Sequence, residues 1–252
     1  MKKIPVLKIY CDFDGTVTKN DVWVVSLGKF INDKEKFKTV CDDFIENRIT
    51  ARECNLRELE LIENFTFEKL NEYLDDENLD DYFKKFVEYC NLNGYIITLL
   101  SEGLDYYINY ILKRENLDLN FFSNKMIKKE IGNNDSGEII FKLSCKFPFS
   151  DENCVWCGMS KRNVIINNTN DIENEVSVFI GDGISDCCAA NYADIVFAKK
   201  HLASYCWKNN ITYFEYQNFG DVINKLEKLK IQGRLKQRQT AKTLRKDVLL
   251  GG

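Results

Sequence analysis

The fold is decided by the stretch Leu7-Lys8-Ile9-Tyr10-Cys11-Asp12-Phe13-Asp14-Gly15-Thr16. Its first half is a short, mostly apolar run between Pro5 and Gly15, which is typical of a buried strand in a parallel sheet. The run delivers two carboxylates, Asp12 and Asp14, to the carboxyl end of the strand, where open α/β sheets bind ligands. Such a pair can bind a cation and keep one oxygen free to react. Taken alone, the stretch is also compatible with an ordinary Asp- and Gly-rich turn.

Further strands end in polar residues of the same kind. The apolar run 95–100 leads into Ser101-Glu102-Gly103, and the run 176–180 leads into Gly181-Asp182-Gly183-Ile184-Ser185-Asp186. The segments 195–197 and 211–214 predict two more strands, and helical patterns fill the gaps. The chain is therefore predicted to be α/β, with a Rossmann-like, three-layer, doubly wound parallel sheet. Residues 121–143 predict a β-hairpin excursion with its turn at 133–137.

A long helical insertion separates the first two strands. Helix starts are predicted at Asn20 or Asp21, at Asn32 or Asp33, at Thr50 and at Thr66, and the first of these helices is expected to run to about Phe30. A simple βαβ crossover does not need this much chain. We therefore predict a catalytic core of residues 1–16 and 79–230, a helical cap of residues 17–78 over the sheet edge, and a basic C-terminal tail of residues 231–252.

Composition and charge narrow the function classes. The chain has 252 residues, 44% of them hydrophobic, and a formal charge of −4. The segment after residue 227 has eight bases against one acid, which leaves −11 for the rest and argues against nucleic-acid binding. No run approaches the roughly 20 apolar residues that cross a bilayer. The tail is expected to be a solvated helix or disordered.

Cysteine usage predicts a reducing, cytoplasmic location. The chain has ten cysteines, and Lys8 and Asp12 interrupt the apolar run after the basic start Met1-Lys2-Lys3, so we expect no secretory signal. Cys154 and Cys157 have the spacing of half a zinc site, which Cys145 and the pair Cys187-Cys188 could complete. A redox pair and ordinary reduced thiols are the alternatives. The lone His201 is expected to be a surface or packing residue.

Together the polar strand ends suit phosphoryl transfer. This chemistry needs a nucleophile, a cation to offset carboxylate–phosphate repulsion, and donors around the phosphate oxygens. Asp12 and Asp14, Ser101, Asp182 and Lys161 are candidates for these parts, and Mg²⁺ is the expected cation. For Ser101 alone, a helix-capping role is the alternative.

These motifs, in this order, resemble those of the haloacid dehalogenase superfamily. The resemblance spans roughly residues 4–230 and rests on Asp12-x-Asp14-Gly-Thr16, a Ser at the second strand end, a Lys at a helix start, and Gly181-Asp182-Gly183-x-x-Asp186. The helical insertion looks like a C1 cap, and the arrangement is most similar to the phosphoserine phosphatase-like branch. The runs Cys-Asp-Phe-Asp-Gly-Thr, 157–161 and 194–198 look like those of methionine-salvage phosphatases that act on a methylthio-hydroxyketopentenyl phosphate.

The resemblance implies a role for each motif residue. Asp12 would attack phosphorus and form an aspartyl-phosphate, and Asp14 would protonate the leaving oxygen and later activate water. The expected phosphate-binding residues are Ser101 and Gly103, with Lys161 offsetting charge. The implied Mg²⁺ ligands are Asp12, the backbone carbonyl of Asp14, and Asp182, with Asp186 holding a metal-bound water or orienting Lys161. Thr16 and Gly183 are expected to be structural.

Two positions depart from the family pattern. Glu102 stands where many relatives have a small residue, so this substrate-site candidate either faces away from the phosphate or selects a substrate. Ser185 stands where phosphoserine enzymes often have Asn. In the cap, Arg48, Arg52 and Arg57 are candidates for binding a second anion, with surface solvation as the alternative.

Three kinds of function remain open from the sequence. The first is a Mg²⁺-dependent phosphatase for a small metabolite, of the methionine-salvage kind. The second is the same scaffold acting on phosphoserine, phosphocholine or phosphoethanolamine, or passing the phosphoryl group to another acceptor. The third is a non-catalytic protein that binds a phosphometabolite. A binding protein has no need of both Asp12 and Asp14. The oligomeric state is not predicted.

Overall fold

The centre of the protein is a seven-stranded sheet with the strand order β4-β3-β2-β1-β5-β6-β7. The computed structural model describes residues 5–251, so the basic start at residues 1–3 lies outside the described part. The strands are β1 (Leu7–Asp12), β2 (Ile96–Leu104), β3 (Asn120–Asn133), β4 (Ile139–Lys146), β5 (Val176–Gly181), β6 (Ile195–Ala198) and β7 (Phe214–Glu215). Among the seven strands of the described part, β3 and β4 alone pair antiparallel, and they form the predicted hairpin at the sheet edge.

Strand β1 lies in the middle of the sheet because its apolar side chains can be buried on both faces. It pairs in parallel with β2 and β5, with Asp12 opposite Leu100 and Cys11 opposite Ile180. The carboxyl ends of all three strands therefore point toward the same edge. This register brings the polar residues that follow them to one place.

Helices cover both faces of the sheet and complete three layers. They are α1 (Val22–Val25), α2 (Lys34–Ile45), α3 (Ala51–Glu60), α4 (Phe67–Asp75), α5 (Phe83–Asn93), α6 (Asp105–Arg114), α7 (Lys161–Asn168), α8 (Cys187–Tyr192), α9 (Lys200–Lys208), α10 (Phe219–Ile231) and α11 (Gln239–Leu249). One apolar cluster includes Phe83, Ile108 and Phe219, and a second includes Ile165 and Leu202. The two clusters correspond to the two faces of a doubly wound sheet, so the predicted fold class is confirmed.

The helical insertion consists of α1 to α4, between β1 and α5. Thr50 begins α3 with a capping box, in which its hydroxyl accepts from Glu53 N and Glu53 accepts from Thr50 N. Thr66 and Asp33 cap α4 and α2 in the predicted way. Such caps satisfy backbone N–H groups that have no partner within the helix. The domain boundaries 17–78 and 79–230 stay predictions.

Two predicted elements were wrong in detail. One α-helix was expected from Asp21 to about Phe30. Instead, the α-helix ends at Val25, and a separate 3₁₀ turn covers Leu27–Phe30. Ser26 Oγ donates to Val22 O at 2.6 Å, and such back-bonding disturbs helical geometry. The last strand is shorter than the expected 211–214, because Ile211 N donates to Cys206 O at the end of α9.

The C-terminal tail is folded, contrary to the expectation of a solvated or disordered segment. Its helix α11 packs on the body through Arg245, which is 1% exposed. The Arg245 guanidinium pairs with Asp171 at 2.5 Å and with Asp194 at 3.0 Å. These partners are far away in sequence, so charge patterning along the tail could not reveal them. Across residues 5–251, no helix combines the length and apolar character needed to cross a bilayer.

Candidate active site

Three buried carboxylates and one buried lysine meet at the carboxyl ends of β1 and β5. The carboxylate oxygens of Asp12, Asp182 and Asp186 all lie within 4.8 Å of one another. Lys161 Nζ donates to Asp12 Oδ1 at 2.5 Å and to Asp186 Oδ1 at 2.7 Å. The structure thus brings together the residues of three predicted motifs.

Lys161 reaches the acids from the first position of α7. Ser160 precedes it as the N-cap, with its hydroxyl accepting from Asn163 N. Although burial opposes the charged form, the carboxylates of Asp12 and Asp186 raise the pKa of Lys161 above its ordinary value. Lys161 is therefore a fixed cation beside Asp12.

The loop after β5 is built around Asp186. Its Oδ2 accepts from the backbone N–H groups of Asp182 and Gly183, at 2.8 and 2.9 Å. A Cβ at Gly181 would lie 2.4 Å from that same oxygen, so this close approach requires glycine. Asp182 Oδ2 accepts from Lys200 Nζ at 2.7 Å.

Gly15 allows the loop after β1 to approach Asp182. Its φ is +72°, and an added Cβ would lie 3.0 Å from Asp182 Oδ2. The positive φ and the close contact both favour glycine. Thr16 Oγ1 is 3.4 Å from Asp182 Oδ1, which fits the structural role expected of Thr16.

The donor set fits a hard divalent cation. Three carboxylates face one another, with Lys161 between two of them and Lys200 on the third. Burial, followed by the charge of Asp186, raises the pKa of Asp12 well above its ordinary value. A cation held by Asp12, Asp182 and Asp186 would relieve this repulsion, and Mg²⁺ prefers oxygen ligands. The carboxylate of Asp14 is not part of this trio and accepts from Ser101 and Tyr107 instead. This is consistent with the prediction that Asp14 would bind the metal through its backbone carbonyl.

Asp14 has hydroxyl partners in place of the lysine. Ser101 Oγ donates to Asp14 Oδ2 at 2.8 Å, and Tyr107 OH donates to Asp14 Oδ1 at 3.1 Å. Burial is the main cause that raises the pKa of Asp14 to about 7, against the opposing effect of these hydrogen bonds. Asp14 can therefore both hold and release a proton near neutrality.

Gly103 makes room for the tyrosine. A Cβ at Gly103 would lie only 1.4 Å from Tyr107 OH, and Gly103 N donates to Ser101 Oγ at 2.9 Å. Strand β2 continues to Leu104, so Ser101 lies within the strand rather than at its end. The predicted contacts of Ser101 and Gly103 with phosphate stay predictions.

Glu102 faces a neighbouring loop as well as the cavity. Its Oε2 accepts from Gly158 N at 2.7 Å and from Met159 N at 3.0 Å. Burial raises the pKa of Glu102 to about 7, against the effect of Lys161. The carboxylate therefore supports the segment that leads into Lys161.

A cavity of about 520 Å³ lies between these residues and the insertion. Its core wall includes Asp12, Asp14, Asp182 and Lys200. The wall contributed by the insertion is largely apolar and consists of Asp21, Trp23, Val24, Phe37, Cys41, Phe44, Ile45, Cys54, Asn55 and Glu58. The reacting groups thus face a compartment large enough for a small ligand.

The cap arginines are engaged elsewhere, which favours the alternative of surface residues over the binding of a second anion. Arg48 pairs with Asp43 and Glu46, and Arg57 lies 3.9 Å from Asp43. Arg52 donates to backbone carbonyls of the segment 151–157. None of the three lines the cavity.

The sequence did not predict the residues that the insertion contributes to the cavity, nor Tyr107 and Lys200 of the core. Tyr107 and Lys200 contact Asp14 and Asp182, and Glu58 accepts from the thiols of Cys41 at 3.4 Å and Cys54 at 3.5 Å. Tyr107 lies in the first turn of α6, shortly after Ser101 in the chain. This proximity in sequence is only a weak sign that Tyr107 belongs to the site. Lys200 and Glu58 lie on helices that also carry exposed charged residues, such as Lys208 and Glu60.

The cysteine motif does not form a complete zinc site within the described residues. Cys154 Sγ and Cys157 Sγ are 2.8 Å apart, but among residues 5–251 only the acidic trio has the grouping of a metal site. His201 is exposed, with Nδ1 3.8 Å from Cys187 Sγ.

Comparisons with known proteins show which curated relatives the chain is similar to. No protein-family model matches the chain. The "2-hydroxy-3-keto-5-methylthiopentenyl-1-phosphate phosphatase" of Bacillus cereus (strain ATCC 10987 / NRS 248) is 27% identical over 233 residues, which cover 88% of this chain and 97% of the relative. The protein of the same name from Bacillus cereus (strain G9842) is 28% identical over the same shares of both chains.

Solved structures show the same fold. A phosphoserine phosphatase with a phospho-aspartyl intermediate analogue has a TM-score of 0.63 at 17% identity, and the match covers 88% of this chain and 99% of the other. A haloacid dehalogenase family hydrolase from Salmonella enterica serovar Typhi has a TM-score of 0.65 at 15% identity, over 88% and 72% of the two chains. The prediction of a hydrolase of this type is confirmed. The chain thus has the fold of the phosphoserine phosphatase structures, and over most of its length it is similar to proteins named as phosphatases.

Proposed function

We propose that this protein is a Mg²⁺-dependent phosphatase that hydrolyses the phosphate monoester of a small metabolite through an aspartyl-phosphate. The observation that carries the proposal is the pairing of two differently held acids at the end of β1. Asp12 is buried beside Lys161, whereas Asp14 is held by hydroxyl groups and has a pKa of about 7. Neighbouring carboxylates in different environments can divide nucleophile and acid–base roles.

In this proposal Asp12 is the nucleophile. One of its oxygens attacks phosphorus, the bond to the leaving alkoxide breaks, and the phosphoryl group is transferred to Asp12. Lys161 Nζ, 2.5 Å from Asp12 Oδ1, orients the carboxylate and offsets negative charge in the transition state. The dense packing of Lys161 keeps this geometry fixed before substrate binds.

Asp14 supplies and recovers the proton. In its protonated form it donates to the leaving oxygen, and in its ionised form it then accepts a proton from the water that attacks the aspartyl-phosphate. The hydroxyl groups of Ser101 and Tyr107 hold its carboxyl group in place during both steps. A pKa of about 7 makes both forms available near neutral pH.

Mg²⁺ would be held by Asp12, Asp182 and Asp186, with the backbone carbonyl of Asp14 as a further ligand. When bound, it would offset the repulsion between carboxylates and phosphate and so stabilise the transition state. The fit rests on the grouping of the three buried acids. A reducing cytoplasmic location, with ten unpaired thiols, is part of the same proposal.

For the substrate, we favour a phosphate ester whose alcohol part carries no carboxylate. The insertion lines the cavity with apolar groups and two acids, and no Lys or Arg of the described insertion lines it. A phosphoserine carboxylate would find no cation on that wall, whereas an uncharged thioether chain fits it. The Bacillus relatives named for a methylthiopentenyl phosphate support this choice.

An ester with a cationic ammonium group is the second candidate. Glu58 lies in the cavity wall with the aromatic rings of Trp23, Phe37 and Phe44. Acidic and aromatic groups together can bind an ammonium, as in phosphocholine or phosphoethanolamine. The thiols of Cys41 and Cys54 already donate to Glu58, which weakens this candidate.

The test measures turnover of p-nitrophenyl phosphate and of a panel of metabolite phosphates with Mg²⁺. The panel contains the methylthiopentenyl phosphate, phosphoserine, phosphocholine and phosphoethanolamine. Asp12→Asn should lose at least about 10³-fold in kcat, because the amide is a poor nucleophile. Asp118→Asn removes an exposed acid and serves as the matched control. Undiminished turnover by Asp12→Asn would reject the aspartyl-phosphate mechanism. If the unaltered protein turns over none of these esters, the alternative of a non-catalytic phosphometabolite-binding protein is favoured.

A further inference from the structure

The segment between β4 and α7 carries two thiols in near contact. Cys154 Sγ and Cys157 Sγ are 2.8 Å apart, and the two residues are 9% and 2% exposed. Neither is in a disulfide. A disulfide bond has a length of about 2.05 Å, so the sulfurs need only a small displacement to join.

A second cavity, of about 650 Å³, gives small molecules a route to these thiols. Its lining includes Cys154, Cys157, Cys187 and Cys188, and it also includes Ser185 beside the catalytic lysine. The walls are otherwise mostly apolar, with Trp156, Ile184 and Leu244 among them. An uncharged oxidant as small as hydrogen peroxide fits a cavity of this size.

The surroundings of the pair favour a thiolate on Cys154. Hydrogen bonding with the sulfurs of Cys157 and Cys188 lowers the pKa of Cys154, with smaller contributions from Trp156 N–H and Arg162. The pKa of Cys157 is raised, chiefly by its hydrogen bond with Cys154 and by burial. A thiolate next to a thiol is the arrangement in which one sulfur is oxidised and the other completes a disulfide.

The same segment joins the cap to the catalytic lysine. Arg52 Nη1, on α3, donates to the carbonyls of Asp151, Cys154 and Cys157, each at 3.2 Å. Ala51 N donates to Val155 O at 2.8 Å, and the ring of Trp156 packs against Phe44. Movement of the two cysteines would therefore shift the carbonyls that hold the cap.

On the other side, the segment leads directly into the site. Gly158 N and Met159 N, the next two donors along the chain, hold Glu102. Lys161 follows at the start of α7. The path from Cys157 to the lysine beside Asp12 is thus four residues of backbone fixed at several points.

We propose that Cys154 and Cys157 form a dithiol site that a peroxide oxidises reversibly to a disulfide, and that the disulfide lowers the activity of the enzyme. The Cys154 thiol loses its proton, and its thiolate attacks one peroxide oxygen. The O–O bond breaks to give a sulfenic acid and a hydroxide, which takes up that proton and leaves as water. The Cys157 sulfur then attacks the sulfenic sulfur, the S–O bond breaks, and a second water leaves with the thiol proton. In sum, two thiols are oxidised and one peroxide is reduced to two waters.

The loss of activity follows from the position of the pair, and this part rests on the proposed phosphatase function. A disulfide fixes the carbonyls of Cys154 and Cys157 at new positions relative to Arg52. Because substrate entry and product release require the cap to move, and because Lys161 must keep its place, we expect turnover to fall.

The experiment treats the reduced full-length protein with hydrogen peroxide, removes the excess, and applies two measurements. Mass spectrometry of the digested protein should show the loss of two hydrogens and a peptide linkage between Cys154 and Cys157. Hydrolysis of p-nitrophenyl phosphate should fall by at least about twofold and return after treatment with dithiothreitol. Cys157→Ser should form no such linkage and should keep its activity after peroxide. Cys187→Ser, which removes a thiol from the same cavity, should still form it.

If Cys157→Ser does not fold, Cys157→Ala replaces it in the test. The thermal unfolding of both variants is measured to show that they are folded. Absence of the linkage, or a linkage from Cys154 to Cys188, would overturn the site. A linkage without change in turnover would overturn its effect on activity. If the reduced protein hydrolyses no phosphate ester, the proposed function fails, and the mass measurement still decides whether the dithiol site exists.

Discussion

Asp14 differs from the other acids of the site in that hydroxyl groups, rather than a lysine, are its partners. In Asp14→Asn the side chain can no longer protonate the leaving oxygen. For an alkyl phosphate, kcat/KM should fall about 10²–10⁴-fold, which is the usual size of a general-acid contribution. For p-nitrophenyl phosphate the fall should be much smaller, because its phenolate leaves without protonation. Equal losses for both esters would contradict the role of Asp14 as the acid.

The Tyr107 hydroxyl should tune that acid. Its hydrogen bond lowers the pKa of Asp14, which burial raises to about 7. In Tyr107→Phe the donor is lost, so the pKa of Asp14 should rise. The protonated form then persists to higher pH, and the alkaline limb of kcat/KM for an alkyl phosphate should move upward. The measurement is the pH profile of kcat/KM.

Tyr106 offers a matched control for that variant. Its hydroxyl lies on the same helix but donates to Asn71 Oδ1 at 2.9 Å, away from Asp14. Tyr106→Phe should therefore leave the alkaline limb where it is. An unmoved limb in Tyr107→Phe would show that Asp14 does not govern it.

The sequence predicted the site residues that lie at strand ends. It did not predict the cavity residues that lie on helices. Asp12 and Asp182 follow apolar runs, and parallel strands end at a common edge, so their meeting follows from pattern alone. Tyr107 and Glu58 reach the cavity from helices, where an inward polar residue looks like its solvated neighbours. Only the packing of the helix shows which side its residues face.

At the scale of elements, α11 shows how one buried ion pair can order a segment. Arg245 brings a positive charge to Asp171 and Asp194, and Asp194 also accepts from Ser177 N at 2.9 Å. The sequence of the tail suggested a run of solvated basic residues. One of them, Arg245, is instead buried and paired with two acids of the core. The sequence indicated a basic tail, without any sign of where those partners lie.

Arg245→Met should therefore destabilise the whole protein. It leaves two carboxylates without their cation, and breaking a buried pair from one side costs about 3–5 kcal/mol. The free energy of unfolding, measured with urea, should fall by that amount. Lys246→Met changes the next residue of α11, which is exposed, and should stay within about 0.5 kcal/mol of the unaltered protein. Equal effects of the two variants would show that the pair does not anchor the helix.

At the scale of the whole molecule, the sheet places its charges where a cation must compensate them. The β1 and β5 ends bring three carboxylates together, and the core around them buries Asp12 and Asp186. In the proposed function, substrate selection is left to the insertion, whose cavity wall is largely apolar. This division explains why the sequence indicates the reacting group more clearly than the alcohol that carries it, since the motif residues meet only the phosphate.

Because a ligand that binds only the folded state stabilises it, Mg²⁺ should raise the thermal unfolding midpoint of the protein, even without substrate. Asp182→Asn removes one of the three facing carboxylates and should abolish this rise. In EDTA the same variant should unfold at the same temperature as the unaltered protein or higher, because repulsion with Asp12 and Asp186 is relieved. Asp118→Asn removes an exposed acid and should keep the full response. If Asp182→Asn still responds to Mg²⁺, the ion binds elsewhere, and the acidic trio does not form the metal site.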